Sequence, residues 1–583
     1  MKKLNYKPLA SLFFAALLMS GCAGLKKMKK HADQIQFKVT PEVLEANGGD
    51  VDMALSAKFP ERYFHKKVKV VATPVLKYDG GEKAFESFSL QGERVEDNNK
   101  VISYLNGGSF SYNDAVAYAN DMRKSDLELR ITASKGSKTL DFDPIKIGDG
   151  VIATSTLMGN CAKPVLGVQR EKNTTGKYDP NIDVFQRIVP DEFMADIHYL
   201  INSSYVRGSE LKGEDLDAFK AYAKDAFEAE RKDLKNIEVS AYASPDGEQD
   251  WNTKLSERRE GTASKYVKRQ MKREKIEADF KSKFTPEDWE GFQELMKQSS
   301  IQDKDLILRV LSMYSDPEVR EKEIRNLSAA FTQLADDILP KLRRAKITAS
   351  VDLIGKTDEE IAALADSDPS KLNPAELLYA ATLTEDNTKK LAIYNSFTKV
   401  YSNDWRGFNN MGLIYIKTKK VADAKKVLEQ ADKLSPKNPI ISNNLGAVAL
   451  MQGDVKKAEA LFGGANGAGE NVSYNLGLVE LKKGNYDAAV KYFGNNTSLN
   501  VALAKLLAGD NNGALKVING VKKDCPKIDY VKAVIGARTA KTNLMFDSLK
   551  AAVKKDAKFK AMAKTDLEFA KYFEDAKFKA IVD

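Results

Sequence analysis

Apolar and polar positions alternate through the first quarter of the chain, as in Lys67-Val68-Lys69-Val70-Val71-Ala72 and Leu127-Glu128-Leu129-Arg130-Ile131-Thr132. A period of two places every second side chain on one face, so these runs predict half-buried strands. Asp79-Gly80-Gly81, Asn106-Gly107-Gly108 and Asp149-Gly150 supply the turns between them. Residues 37–185 are therefore expected to form a β-rich, sandwich-like region or a pair of small β-domains. From Cys161 to Asp183 the run with Gly167, Asn173, Gly176 and Pro180 reads as an extended connection.

The period changes in the middle of the chain. Ala195-Asp196-Ile197-His198-Tyr199-Leu200-Ile201 has a strand pattern, and residues 212–234 carry Leu216, Phe219, Tyr222, Ala223 and Phe227 on one broad helical face. A second strand over 236–243 runs into the turn Ser244-Pro245-Asp246-Gly247 and then a helix over 250–272. The order β-α-β-α predicts an α+β layer.

From about residue 373 the pattern becomes paired helices with recurring small residues. Phe408, Met411, Gly412, Tyr415, Ala424, Leu428, Ala431 and Pro436 are followed, one period of about 34 residues later, by Leu445, Gly446, Ala458, Phe462 and Ala465. Tyr474, Leu476, Gly477, Ala489 and Phe493 give a third, shorter copy. The pattern resembles the tetratricopeptide repeat and implies an all-α solenoid over 373–583, in which glycines let two helices approach closely and each hairpin needs its neighbours. Ala514, Ile518, Phe569, Tyr572, Phe573 and Phe578 are expected to cover its end, and its concave surface to receive a protein partner that the sequence does not identify.

The 583 residues leave room for about four domains. A hydrophobic share of 43% and a charged share of 30% fit globular folds rather than disorder or a polytopic membrane protein. The net charge of +9 is not gathered into a basic arm, which argues against nucleic-acid binding. With only His31, His65, His198 and Cys22, Cys161, Cys525, no clustered zinc motif can be written. No activated nucleophile or acid/base motif is recognisable, so no enzyme activity and no cofactor are expected.

The N-terminus carries an address. Lys2, Lys3 and Lys7 precede an apolar run from Leu9 to Met19, which is a charged region and a short hydrophobic region of a secretory signal. Met19-Ser20-Gly21-Cys22 resembles the bacterial lipobox, which implies a signal peptide over 1–21 and lipidation of Cys22. Residues 22–36, with Lys26, Lys27, Lys29 and Lys30, are expected to be a lipidated tether, its lysines either drawn to anionic headgroups or simply solvated. Ala23 is not the aspartate of inner-membrane retention, and the basic stretch lacks the acidic export signal of Bacteroidetes-like lipoproteins. The resemblance implies an outer-membrane, periplasm-facing anchor. A disulfide between Cys161 and Cys525 is left open.

The stretch from Ile237 to Gly247, followed by Asn252-Thr253-Lys254-Leu255-Ser256-Glu257-Arg258-Arg259, resembles the OmpA-like peptidoglycan-associating domain, which implies such a fold over 186–355 with a helical insertion at about 285–339. Leu342 to Ala349 looks like the closing strand of that family. The family binds the diaminopimelate end of the peptidoglycan stem peptide, and the resemblance places Arg259, Ser244, Asp246 and Asn252 at that site. Arg259 stands at the arginine position; read from the helix alone, it is equally a rim arginine snorkelling past the core or pairing with Glu257. Ser244 stands where the family has an acid, so recognition of the ligand ammonium falls to Asp246 unless Asp246 only shapes the turn.

Together these readings predict a non-catalytic outer-membrane lipoprotein that associates with peptidoglycan and scaffolds a protein partner. Two alternatives stay open: an assembly component of an envelope or secretion complex without wall binding, and a surface glycan-binding lipoprotein.

Overall fold

The computed structural model describes residues 24–159, 162–164, 185–301, 304–326 and 334–583, so the expected signal peptide, Cys22 and Cys161 lie outside the described residues. The chain forms two compact units, Met1–Gly167 with Asn403–Asp583, and Val168–Ser402.

The first unit begins with a short helix, α1 (residues 24–30). Leu25 and Met28, one turn apart, are buried in the β-rich core, and the Tyr63 hydroxyl donates to the Met28 carbonyl at 2.9 Å. Residues 24–30 are thus a packed helix rather than the expected tether, because an i, i+3 apolar pair finds a core while Lys26, Lys27 and Lys30 stay exposed. Eleven strands follow: β1 (Gln36–Thr40), β2 (Val43–Asn47), β3 (Asp50–Phe59), β4 (Lys69–Tyr78), β5 (Gly81–Ala84), β6 (Phe88–Gly92), β7 (Lys100–Ile102), β8 (Gly108–Ala117), β9 (Ser125–Lys135), β10 (Lys138–Asp141) and β11 (Ile145–Ile152).

They make one sheet of order β1-β3-β2-β11-β9-β4-β6-β7, with β8 on β3, β5 on β4 and β10 on β9. The pairing is antiparallel except at β2–β11 and β6–β7. Because β2 pairs with both β3 and β11, the two halves are continuous, and they curl over a single core. Met53 and Leu55 of β3 meet Val70 and Ala72 of β4 and Leu129 of β9 there. The expected β-rich region is present, as one bent sheet rather than two separate domains.

The rest of the first unit is a run of helix pairs: Trp405–Lys417 with Val421–Leu434, Pro439–Met451 with Val455–Gly463, Asn471–Lys483 with Tyr486–Phe493, Leu499–Leu507 with Asn511–Asn519, and Pro526–Arg538 with Thr542–Lys555. A methyl group on Gly412, Gly446 or Gly477 would come within 2.6 Å of Leu428, 2.7 Å of Phe462 or 2.6 Å of Phe493, respectively. These glycines set the close approach within each pair. Phe569 and Phe578 are fully buried at the C-terminal end.

In the second unit, β12 (Ile188–His198), α2 (Glu214–Glu228), β13 (Lys232–Tyr242), α3 (Gln249–Glu274), β14 (Asp279–Thr285) and β15 (Arg344–Ile354) form an α+β layer. The sheet order is β12-β15-β13-β14, antiparallel except for β13–β14, which α3 joins as a crossover. Phe219, Ala223, Ala263 and Val267 of the helices pack on Ile237, Val239, Ala241 and Ile347. β12 stops at His198, short of the expected strand end, and Leu200 and Ile201 are exposed.

Between β14 and β15, α4 (Trp289–Gln298) and the helices Lys304–Met313, Pro317–Asn326 and Leu339–Leu342 make an insertion in which Phe292, Met296, Ile307, Leu311 and Leu342 form a core of their own. The helices Asp358–Ser367, Pro374–Ala380 and Asn387–Val400 belong to this unit and not to the repeats, so the solenoid starts at about residue 403 rather than 373. Lys356 pairs with the buried Glu376 at 3.0 Å, and Arg187 with Asp358, which ties these helices to the ends of the sheet strands.

Candidate functional site

β13 ends at Tyr242 and the chain turns through Ser244-Pro245-Asp246-Gly247 into α3. Asn252, in the first turn of α3, reaches back and donates its amide to the carbonyls of Gly247 at 2.9 Å and Ser244 at 3.3 Å. The same amide lies 3.4 Å from Glu287 Oε1. Asn252 is 3% exposed, so it braces the turn from beneath. The Ser244 hydroxyl donates to Asp246 Oδ1. Arg343, just before β15, donates to Ser244 Oγ at 3.3 Å and to Asp246 Oδ2 at 3.2 Å. Arg344 beside it reaches Asp196 at 2.9 Å and Asp288 at 3.0 Å. Burial opposes the Arg344 charge, yet the two carboxylates outweigh it and hold its pKa above the ordinary value.

Arg259 projects from the third turn of α3 and is 1% exposed. It is neither at the rim nor directed to Glu257, as the helix pattern allowed. Its Nε donates to the Ser203 carbonyl at 2.9 Å, Nη1 to Tyr242 at 2.9 Å and Nη2 to Leu200 at 3.1 Å. The Tyr199 ring lies 5.1 Å from the guanidinium, and the Tyr199 hydroxyl donates to the Arg259 carbonyl at 3.0 Å. Burial pushes the Arg259 pKa down to about 10, so the group keeps its charge at neutral pH. Three of the five guanidinium N–H groups thus hold the segment after β12 to the end of β13.

The structure brings Ser244, Asp246 and Asn252 into one turn, with Arg259 at the base of the same strand end. It also supplies Arg343 and Glu287, which sequence reasoning did not assign to the site. Glu287 is 9% exposed, and burial raises its pKa although Trp289 Nε1 donates to it at 2.8 Å. An incoming ammonium therefore meets an aspartate already paired with Arg343, and an incoming carboxylate meets an arginine already bound to three carbonyls.

A second constellation lies on the first helices of the repeats. Asn410, Asn444 and Asn475 each stand two residues before the close-approach glycine, and Asn500 stands two before Ala502. All four are buried, as are Asn409 and Asn443. Asn444 donates to Asn409 at 2.8 Å and Asn475 to Asn443 at 2.9 Å, which links successive helix pairs into one polar row. Where the row continues, it meets the chain's own main chain. Asn500 accepts from the Gly159 N–H at 2.8 Å and donates to the Gly159 carbonyl at 3.0 Å. Asn475 accepts from Lys163 N–H at 2.7 Å and donates to the Lys163 carbonyl at 2.9 Å, which Asn443 also reaches at 3.1 Å. The signal, Asn-x-Gly repeated with the period of the helices, is present in the sequence, but polar residues in amphipathic helices ordinarily read as a solvated face.

Residues 406–438 and 471–495 match the tetratricopeptide repeat family model, so the C-terminal helices include tetratricopeptide repeats. Among solved structures, a tetratricopeptide repeat protein from Parabacteroides merdae ATCC 43184 is 16% identical, covering 36% of this chain and 91% of its own, with a TM-score of 0.29. Pseudomonas aeruginosa pilF is 14% identical, covering 39% of this chain and 98% of its own, with a TM-score of 0.26. No curated protein matches the chain.

Proposed function

We propose that this chain is a non-catalytic scaffold of the bacterial envelope. In this reading Cys22 carries a lipid that holds the chain to the outer membrane facing the periplasm, and the repeats engage a protein partner. The observation that carries the scaffold reading is the buried asparagine row along the repeats, whose amides engage extended main chain. Such contacts are the means by which a repeat surface takes hold of a protein segment. Tetratricopeptide repeats suggest a protein partner and generally serve as non-catalytic scaffolds.

Peptidoglycan association through Ser244, Asp246, Asn252 and Arg259 is the second reading. The gathering of these residues at one strand end favours it. The Asp246–Arg343 pair and the carbonyl partners of Arg259 favour the alternative of an assembly module that does not touch the wall. Sacculus co-sedimentation of the chain from Ala23 onward decides between them. Retention that is lost in Asp246→Asn and strengthened in Arg343→Ala, which removes the aspartate's ion-pair partner, supports stem-peptide binding at this turn. No retention of the parent leaves the scaffold without a wall contact. Release of the chain from membranes on Cys22→Ser tests the anchor.

A further inference from the structure

The asparagine row has an occupant whose chemistry is specific. Leu157 is 2% exposed, and Met158 and Ala162 pack on the same core, so the segment is seated on the helices by its apolar side chains. Asn500 and Asn475 each satisfy both the N–H and the carbonyl of one residue, Gly159 and Lys163. Only extended main chain presents both groups of one residue to a single amide side chain, because a helix engages them internally. Lys527 donates to the Met158 carbonyl at 3.2 Å. The side chain of Lys163 is also read: its ammonium lies 4.1 Å from the centre of the Tyr474 ring and donates to Asn496 Oδ1 at 2.8 Å. A connector held only by packing has no need of paired amides at two positions and a lysine site between an aromatic face and an amide.

We infer that this face of the repeats is a peptide groove closed in cis by the chain's own residues Met158, Gly159, Ala162 and Lys163, and that a partner enters it with an extended, lysine-bearing segment that takes their place. Main-chain bonds from Asn475 and Asn500 tolerate any extended sequence, whereas the site formed by Tyr474 and Asn496 selects the lysine. Tethering gives the resident segment an effective concentration on the millimolar scale, so a competitor must be tight or locally concentrated. The proposal deepens the scaffold reading and rests on it only for the incoming partner.

The test uses the chain from Ala23 onward and a fluorescent peptide spanning Leu157 to Pro164 with Cys161→Ser. In the parent, the Gly159 and Lys163 amides exchange hydrogen at least about tenfold more slowly than in the free peptide, and Asn500→Ala and Asn475→Ala each release the amide that they held. Lys163→Glu, which removes the resident ammonium, takes up the probe at least about tenfold more tightly than the parent, and adding Asn475→Ala abolishes the gain. Exchange at free-peptide rates in the parent overturns the cis closure. Equal probe uptake by the parent and Lys163→Glu, or a gain that survives Asn475→Ala, overturns entry by a partner at this groove. Both readouts are independent of any cellular partner, so failure of the scaffold reading alone leaves them intact.

Discussion

Asp246 and Arg343 form an ion pair at 3.2 Å although 97 residues separate them, with side chains only 19% and 13% exposed. The pair closes the turn after β13 against the start of β15. Removing one partner strands the other charge in a poorly solvated place, so Arg343→Met and Asp246→Leu are each expected to destabilise the chain by about 3 kcal/mol. The double variant should recover most of that loss, since apolar residues of similar size need no partner. Denaturant unfolding of the four proteins checks it; additive losses would show that the two groups do not act as a pair.

Arg259 acts through the shape of its fork. A lysine keeps the charge but cannot reach the carbonyls of Ser203, Tyr242 and Leu200 together. Arg259→Lys is therefore expected to cost about 3 kcal/mol, from buried carbonyls left without donors. Arg258→Lys, next to it on the exposed side of α3, should change stability by less than about 0.5 kcal/mol. Thermal unfolding of both variants tests the contrast. Similar melting temperatures would remove the bracing role assigned to Arg259.

Much of this architecture is legible in the sequence where geometry leaves few choices. Gly412, Gly446 and Gly477 announce the helix pairs because no other residue fits against Leu428, Phe462 and Phe493. Ser244-Pro245-Asp246-Gly247 marks the passage from β13 to α3 because its residues suit a turn. What stayed hidden depends on partners far apart in the chain. Nothing local to Arg343 points to Asp246, and nothing local to Asp358 or Glu376 points to Arg187 or Lys356, so the helices from about residue 373 read as further repeats. The lysines around Leu25 and Met28 hide their apolar pair, and the buried asparagines have the same helical spacing as a solvated polar face.

The approach of Gly446 to Phe462 gives a packing prediction with an internal control. A methyl group at Gly446 meets the ring at 2.7 Å, and the fully buried Phe462 has no room to withdraw. Gly446→Ala is expected to destabilise the repeats by about 1–3 kcal/mol despite the better helix propensity of alanine. Gly463→Ala, where the new atom meets nothing within 4 Å, should be neutral or slightly stabilising. Adding Phe462→Leu to Gly446→Ala should return part of the loss by making room. Unfolding monitored by circular dichroism measures all three, and equal effects of the two glycine changes would refute the close-approach account.

Glu287 gives the pH prediction. Burial is the main cause of its raised pKa, ahead of the lowering effect of the Trp289 and Asn252 donors. A carboxyl whose folded pKa exceeds its unfolded value binds its proton more tightly in the folded state, so stability falls as pH rises from the unfolded pKa through the folded one. Below about pH 4 the group is protonated in both states and exacts no penalty; above its folded pKa the penalty is complete. Glu287→Gln keeps an acceptor for Trp289 Nε1 without the charge. The variant should therefore melt higher than the parent at pH 7, with the difference shrinking towards pH 4. Melting curves of the two proteins across that range test this, and a constant or inverted difference would show that the buried carboxyl does not carry the linkage.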